Sequence, residues 1–417
     1  MKSPLTRDDV DLMAPVGSFE SLHAAIQGGA DSVYFGIGKH NMRARSSVNF
    51  TAADLDKILR ICRQYRKKAY LTLNVVFYEG EMEAMKKTID MAKEKGVHAI
   101  IASDQAAIHY ARQQGLEVHI STQLNISNSQ SLLFYSGYAD VAVLARELNL
   151  EQVKAITKNI EEIPITGPSG NLMKLELFAH GALCMSVSGK CYLSLHHYNH
   201  SANRGECMQD CRRSYTVREK ETGFELDIDN EYILSPKDLC TLPFLDKILD
   251  AGVRVLKIEG RARSPEYVKV VTACYDEAIR SVTGGSYTPE KIEAWKARLS
   301  TVFNRGFWDG YYLGQRLGEW NNAYGSVATF KKAYAAKNLN YFVKPGIAEF
   351  LCEAESLRVG DSILIMGPST GVIEHTIEEI RVDLQQVKQT IPGEKFSIPV
   401  PRKVRRADKL YLLIPKE

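Results

Sequence analysis

Eight short apolar runs alternate with amphipathic stretches between Asp11 and about Ser281, and few architectures accommodate such a rhythm. The runs are Leu12–Pro15, Ser32–Ile37, Ala69–Val76, Ala99–Ser103, Glu117–Gln123, Val141–Ala145, Leu175–His180 and Val253–Glu259. Most are four to eight residues long and rich in Val, Ile, Leu and Tyr, the texture of strands buried on both faces. Helical patterns lie between them. Thr51–Tyr65 opens on Thr51 with Asp54 three residues on, an N-cap arrangement. Glu81–Lys95 and Leu150–Lys158 repeat the theme, and Gly29, Gly96 and Gly115 sit where helices should stop. Such units over roughly 280 residues predict an α/β fold, a TIM-like (β/α)8 barrel. A doubly wound open sheet is the alternative. Gly36 and Gly38 lack the third glycine of GxGxxG, and no GxxxxGK[ST] loop occurs, so no nucleotide site is signalled.

The alternation breaks between Gly181 and Tyr232, which reads as an insertion after the seventh strand, on the side where barrel active sites form. From about Leu339 the texture changes to short runs (Ile347–Leu351, Ser362–Met366, Val372–Ile377, Lys409–Ile414) punctuated by glycines. These predict a small C-terminal β-barrel domain. The expected division is 1–330 for the barrel with its insertion and 331–417 for linker and β-domain, the linker running over Trp320–Lys337. A chain of 417 residues suits this layout. A net charge of +3 is too small to imply nucleic-acid binding, so any polyanion must meet a local basic patch. No apolar signal core opens the chain and no window approaches eighteen apolar residues, so the expected setting is the reducing cytosol, with no membrane.

That setting bears on the eight cysteines. Cys62, Cys240, Cys274 and Cys352 are scattered through predicted helices and strands and read as small buried hydrophobes. Cys184, Cys191, Cys207 and Cys211 fall within 28 residues, spaced x6, x15 and x3. Four thiolates in a reducing compartment suit a metal centre. Structural zinc usually takes paired CxxC knuckles, and neither outer gap here is two residues. Unequal spacings suit an iron–sulfur cluster, whose irons stand apart, but the spacing leaves zinc open. His196, His197 and His200 read as solvated or substrate-facing rather than as ligands.

The run His180-Gly-Ala-Leu-Cys184, continuing through Ser188-Gly-Lys-Cys191 to Cys207 and Cys211, resembles the collagenase-like peptidase family, family U-32. So do Leu12-Met-Ala-Pro-Val-Gly17, Gly29-Ala-Asp-Ser-Val-Tyr34, Arg146-Glu-Leu148, Ser235-Pro-Lys-Asp-Leu239 and Leu256-Lys-Ile-Glu-Gly-Arg261. The resemblance implies more than peptidase claims. Better understood bacterial members of that family are oxygen-independent hydroxylation proteins acting on tRNA, ribosomal RNA or ubiquinone precursors. They are associated with a cluster on four cysteines, a 4Fe-4S centre whose matching positions here are Cys184, Cys191, Cys207 and Cys211. The family also implies prephenate as the source of the hydroxyl group. A chain with one β-domain is most similar to members that convert the wobble uridine of tRNA to 5-hydroxyuridine. The implied partners are tRNA, prephenate or a similar small dicarboxylate, and an electron-transfer partner of unknown identity.

A dicarboxylate calls for fixed guanidinium or ammonium groups. Arg43 and Arg45 lie two apart in a stretch expected to be extended, and so to face the same way. Lys257, Glu259 and Arg261 alternate on the last strand and point to one face, the barrel interior. A charge there is costly unless it serves a ligand or is paired; a self-paired network is the structural alternative. Arg146 with Glu147 ends strand six, and Gln123 and Asn125 end strand five. His180 is a candidate catalytic group beside Lys257, Glu259 and Arg261, with Arg43, Arg45, Gln123 and Arg146 as substrate-binding residues. For RNA contact, Lys331-Lys332, Arg402-Lys403 and Arg405-Arg406 lie near Tyr334, Tyr341 and Phe342. Two rivals stand: a peptidase, although HExxH and GxSxG are absent, and a non-catalytic RNA-binding or assembly factor stapled by metal.

Overall fold

The computed structural model describes residues 4–416 apart from 46–48, 217–231, 233, 315–317 and 324. Much of the second half of the 181–232 insertion therefore lies outside the described residues. Ten strands form the first sheet: β1 (Asp11–Pro15), β2 (Ser32–Phe35), β3 (Lys68–Leu73), β4 (Ala99–Ala102), β5 (Glu117–Ile120), β6 (Val141–Val143), β7 (Lys174–Ala182), β8 (Asp238–Cys240), β9 (Val255–Ile258) and β10 (Phe307–Trp308). Each of β1 to β6 pairs in parallel with its successor, β7 pairs with β9, and β9 returns to β1. Eight parallel strands thus close on themselves, which overturns the open-sheet alternative. β8 lies outside that ring. It runs antiparallel to the end of β7 (His180 opposite Cys240) and carries β10 on its far side.

Helices alternate with the strands: α1 (Phe19–Gln27), α2 (Leu55–Gln64), α3 (Met82–Lys95), α4 (Gln105–Gln113), α5 (Ser129–Ser136), α6 (Leu150–Glu162), α7 (Leu193–Tyr198), α8 (Leu245–Asp250), α9 (Pro265–Thr283) and α10 (Pro289–Ser300). Their ends follow local chemistry. The Asp54 carboxylate accepts from the Thr51 N–H at 2.8 Å and closes a capping box ahead of α2. Gly96 ends α3 at φ +82°, a left-handed conformation that favours glycine. Apart from α7, which lies in the insertion, the helices bury apolar side chains against the outside of the barrel, where α9 alone contributes fully buried Tyr267 and Tyr275. No helix among the described residues is long and apolar enough to cross a membrane.

The C-terminal domain is an eight-stranded antiparallel sheet: β11 (Phe330–Phe342), β12 (Ile347–Cys352), β13 (Ser362–Gly367), β14 (Gly371–Thr376), β15 (Ile380–Val382), β16 (Gln385–Val387), β17 (Lys395–Pro399) and β18 (Lys409–Pro415). It encloses its own apolar core around Phe350, Phe396 and Ile398. The second half of the expected linker is β11, the longest of these strands. Its lysine-rich start conceals the apolar alternation that begins at Ala335. The sheet docks on α1 and α9: Gln27 donates to the Thr370 carbonyl at 2.8 Å and accepts from the Val372 N–H at 3.0 Å. Leu364, Met366 and Val372 join the main core there.

Candidate active site and cysteine insertion

A cavity of about 100 Å³ opens at the carboxyl ends of the barrel strands. Inward-facing side chains form its floor: Tyr34 from β2, Thr72 from β3, Ile101 from β4, Phe178 from β7 and Lys257 from β9. The segments that follow β2, β5, β6 and β9 add Arg43, Gln123, Arg146, Glu259 and Arg261, while Cys184, Ser188 and Gly189 of the insertion line it from above.

Lys257, Glu259 and Arg261 all line this space and are nearly inaccessible to solvent. They are not paired with one another. Lys257 donates to Glu176 at 2.7 Å and lies over the rings of Tyr34 and Phe178, 4.8 and 5.6 Å from their centroids. Glu259 accepts from Arg43 at 2.7 Å. Burial pushes the Glu259 carboxyl up, but Arg43, Arg263 and Arg146 outweigh it and hold the group at about 2. The Arg43 guanidinium is correspondingly raised, first by Glu259. Arg261 donates to the Thr72 hydroxyl at 2.9 Å, and burial brings its pKa down to about 10. Arg146 spreads over the Phe178 ring at 3.8 Å and donates to the Ala182 carbonyl, while its buried Nε has no hydrogen-bond partner. Among the described residues neither Arg146 nor Arg261 has a carboxylate within ion-pair distance. Three guanidiniums and an ammonium thus face one small cavity; Glu259 answers Arg43 and Glu176 answers Lys257, which leaves Arg146 and Arg261 without a carboxylate among the described residues.

Gln123 lines the cavity and accepts from the Ser121 hydroxyl. Asn125 lies behind it and donates to the Gln123 and Ser188 carbonyls, which ties the insertion to the end of β5. Two expected positions differ. Residues 42–45 form a turn, so spacing by two does not put Arg43 and Arg45 on one face; Arg45 is exposed and meets His200 at 3.2 Å. His180 is buried among the rings of Tyr267, Tyr275 and Phe307, outside the cavity lining. Burial and the charge of Arg263 press its pKa down to about 3, so the ring is neutral, and a direct catalytic role has no geometric support. Residues that spacing does not single out complete the site: Tyr34, Thr72 and above all Glu176, wholly buried on β7. Alternation with Phe178 places Glu176 inward, but a single acid inside an apolar run carries no local sign of that role. Asp238 of the Ser235–Leu239 motif is likewise buried, 3.6 Å from Arg263 and 3.4 Å from Arg305.

The insertion is clamped by arginines. Arg212 donates to the carbonyls of Leu183 at 2.6 Å and Pro236 at 2.7 Å, joining both ends of the excursion. Arg204 grips Glu81 through two bonds of 2.7 and 2.8 Å and lies over Tyr78. Gly205, at φ +87°, packs so closely that a Cβ would stand 2.2 Å from the Asn41 carbonyl oxygen. Gly205→Ala is therefore expected to loosen the insertion by about 1–3 kcal/mol, seen as faster amide exchange over residues 201–212 with the barrel unaffected. Within this frame Cys184 is exposed and the other three thiols are half-buried. Burial pushes Cys207 up and Cys211 to about 11, and each is also raised by the charges of the other cysteines of the quartet, Cys184 and Cys191 included. The four thiols therefore share one neighbourhood. Among the described residues no three Cys, His, Asp or Glu side chains converge tightly enough for a single ion. His197 and His200 face Asp210 and Glu206 at 3.7 and 3.1 Å. The basic residues of the β-domain lie apart from the cavity: Lys332 is paired with Glu266 at 2.7 Å, whereas Arg402, Lys403, Arg405 and Arg406 are exposed between β17 and β18.

Known proteins share this chain's sequence along most of its length. The description of peptidase family U32 matches residues 17–322. A protein named collagenase from Porphyromonas gingivalis is 58% identical over 98% of this chain and 99% of its own. The tRNA hydroxylation protein P1 of Bacillus subtilis is 28% identical over 89% of this chain and 86% of its own. The 23S rRNA 5-hydroxycytidine C2501 synthase of Escherichia coli is 34% identical over 74% of this chain but only 46% of its own. A match of this extent, carried by the barrel and its cysteine insertion together, makes this chain a member of peptidase family U32.

Proposed function

We propose that this protein is a tRNA-modification enzyme that hydroxylates the wobble uridine to 5-hydroxyuridine without oxygen, in the reducing cytosol. The observation that carries the reading is the cationic cavity beside the cysteine quartet. Arg146 and Arg261 lack carboxylate partners there, and the orphaned Nε of Arg146 calls for an acceptor that the protein does not provide. A small dicarboxylate such as prephenate, the proposed hydroxyl donor, fits that charge. Lys257, Glu259 and Arg261 would orient it with Arg43 and Gln123, and the base would enter past Ser188 and Gly189, flipped from its stack. Cys184, Cys191, Cys207 and Cys211 would hold a 4Fe-4S cluster, their unequal spacing suiting it better than the paired knuckles of zinc. A bound cluster would supply a redox centre at the cavity mouth. The relatives that act on tRNA and ribosomal RNA lend support, and the exposed basic loop of the β-domain offers phosphate contacts.

A peptidase reading is favoured by the relatives named collagenase. Against it, no histidine lines the cavity among the described residues, and the other candidate bases there, Lys257 and Glu259, are held by Glu176 and Arg43 and make no hydrogen bond to Ser121, Ser188 or Cys184. Mass spectrometry of tRNA nucleosides from a deletion strain decides between them. Loss of 5-hydroxyuridine and its derivatives is expected; an unchanged profile in a strain without a paralogue sinks the assignment. Iron and sulfide analysis after anaerobic purification tests the cluster separately, and stoichiometric zinc would overturn it. Arg261→Gln is expected to weaken prephenate binding on the order of 10–100-fold, the loss of a charge-assisted hydrogen bond, as read by calorimetry.

A further inference from the structure

The barrel interior holds ionisable groups that the proposed chemistry leaves unused. Glu117 and His119 alternate on β5 and face inward, Glu176 faces them from β7, and Lys257 follows on β9. The contacts form a row: His119 Nε2 to Glu117 at 3.1 Å, His119 Nδ1 to Glu176 Oε2 at 3.7 Å, and Glu176 Oε1 to Lys257 at 2.7 Å. One end of the row, Lys257, lines the upper cavity. The other end, Glu117 and His119, lines a second cavity of about 440 Å³ at the opposite, amino-terminal mouth of the barrel. Asp11, Lys68, Tyr70 and Lys174 also face that lower cavity, and the Tyr70 ring packs on His119 with centroids 4.6 Å apart.

A purely structural network would be expected to satisfy every buried atom. This one does not. His119 Nδ1 and Glu176 Oε2 face each other, both buried and both without a hydrogen-bond partner among the described residues. The gap between them is slightly too long for a bond, and a small shift closes it. Burial opposes the charged ring of His119, but Glu117 and Glu176 outweigh it and raise its pKa above the usual imidazole value.

We propose that Glu117, His119 and Glu176 form a proton path through the barrel, joining solvent at its base to Lys257 in the upper cavity. The proposal rests on that cavity being the reaction site, where a bound RNA would close the upper mouth to water. In one direction, the Lys257 ammonium gives a proton to the occupant. The His119 imidazolium passes its Nδ1 proton to the Glu176 carboxylate, and the Glu176 carboxyl turns and hands that proton to the Lys257 amine. The His119 ring has then lost its Nδ1 proton and keeps the one on Nε2; the ring turns over, and its bare Nδ1 takes a proton from water in the lower cavity beside Glu117. Each hop breaks one N–H or O–H bond and forms another, and no electrons move. The reverse sequence exports a proton.

His119→Gln keeps a polar side chain but cannot relay. It is expected to slow hydroxylation on the order of 100-fold while the Kd for tRNA stays the same. In His119→Ala, added imidazole is expected to restore the rate in proportion to its protonated fraction. Wild-type turnover in His119→Gln from pH 6 to 9 would overturn the path and leave the site reading standing. A second readout needs no substrate: the ¹⁵N titration of the His119 ring. Lys257→Met frees Glu176 to hold His119 and should raise its midpoint; Glu176→Gln should lower it. Midpoints unchanged in both variants overturn the connection. A wild-type protein inactive on tRNA strikes the proposed function instead, and the ring titration still decides the path.

Discussion

Glu176→Ala is expected to lower the unfolding free energy by about 3–5 kcal/mol, the loss typical when one partner of a buried ion pair is removed. The Lys257 side chain is only 6% exposed and Glu176 not at all, so the ammonium would be left in the barrel without its carboxylate. The rings of Tyr34 and Phe178 beside it recover only part of this. Urea denaturation at pH 7 measures the effect. The double variant Glu176→Ala/Lys257→Met removes the stranded charge and should regain most of the loss. A single variant within about 1 kcal/mol of wild type would show that water or a rearranged neighbour reaches Lys257.

The second large effect belongs to His180. Its pKa stands at about 3 in the folded chain against an ordinary value of 6.5. The unfolded chain therefore binds the extra proton first as pH falls, and the His180 contribution is fully present only above about 6.5. It is lost progressively below that value, down to about 3. Between those limits each tenfold rise in proton concentration removes about 1.4 kcal/mol, so about 2 kcal/mol disappears by pH 5. His180→Phe retains a ring among Tyr267, Tyr275 and Phe307 and should flatten the stability profile between pH 7 and 5 by that amount. Glu259, depressed to about 2, contributes in a lower window: its stabilisation is present above about 4.5 and lost as pH falls toward 2. An identical pH 7-to-5 loss in both proteins would mean that His180 finds a proton partner within its box.

The same two residues show where reading the chain stops. His180 sits at the end of an apolar strand beside the first cluster cysteine, a position that suggests function. Its neighbours Tyr267, Tyr275 and Phe307 arrive from α9 and β10, about 90 or more residues on, and they convert it into a core ring. Glu176 escapes notice because an isolated acid inside an apolar run has no local signature. Its meaning comes from β5 and β9, which bring His119 and Lys257 to it from either side. Arg43 and Arg45 are separated by a turn that spacing does not encode.

Local chemistry by itself determined parallel strands alternating with helices, because apolar runs buried on both faces need helices to cover them, while closure into a ring was decided only by β9 pairing with both β7 and β1. It also marked the insertion, since four clustered cysteines interrupt that rhythm. Alternation on the last strand placed Lys257 in the interior, whereas Glu259 and Arg261 lie beyond the end of β9 at Ile258 and reach the cavity from the segment that follows. Only the tertiary structure decided which of those charges were already answered. Ion pairs form between residues that the chain separates by 81 for Glu176 and Lys257, on β7 and β9, and by 216 for Arg43 and Glu259, in the segments after β2 and β9. What remains unanswered, at Arg146 and Arg261, is a property of the closed ring: it appears only once every partner has been assigned in space.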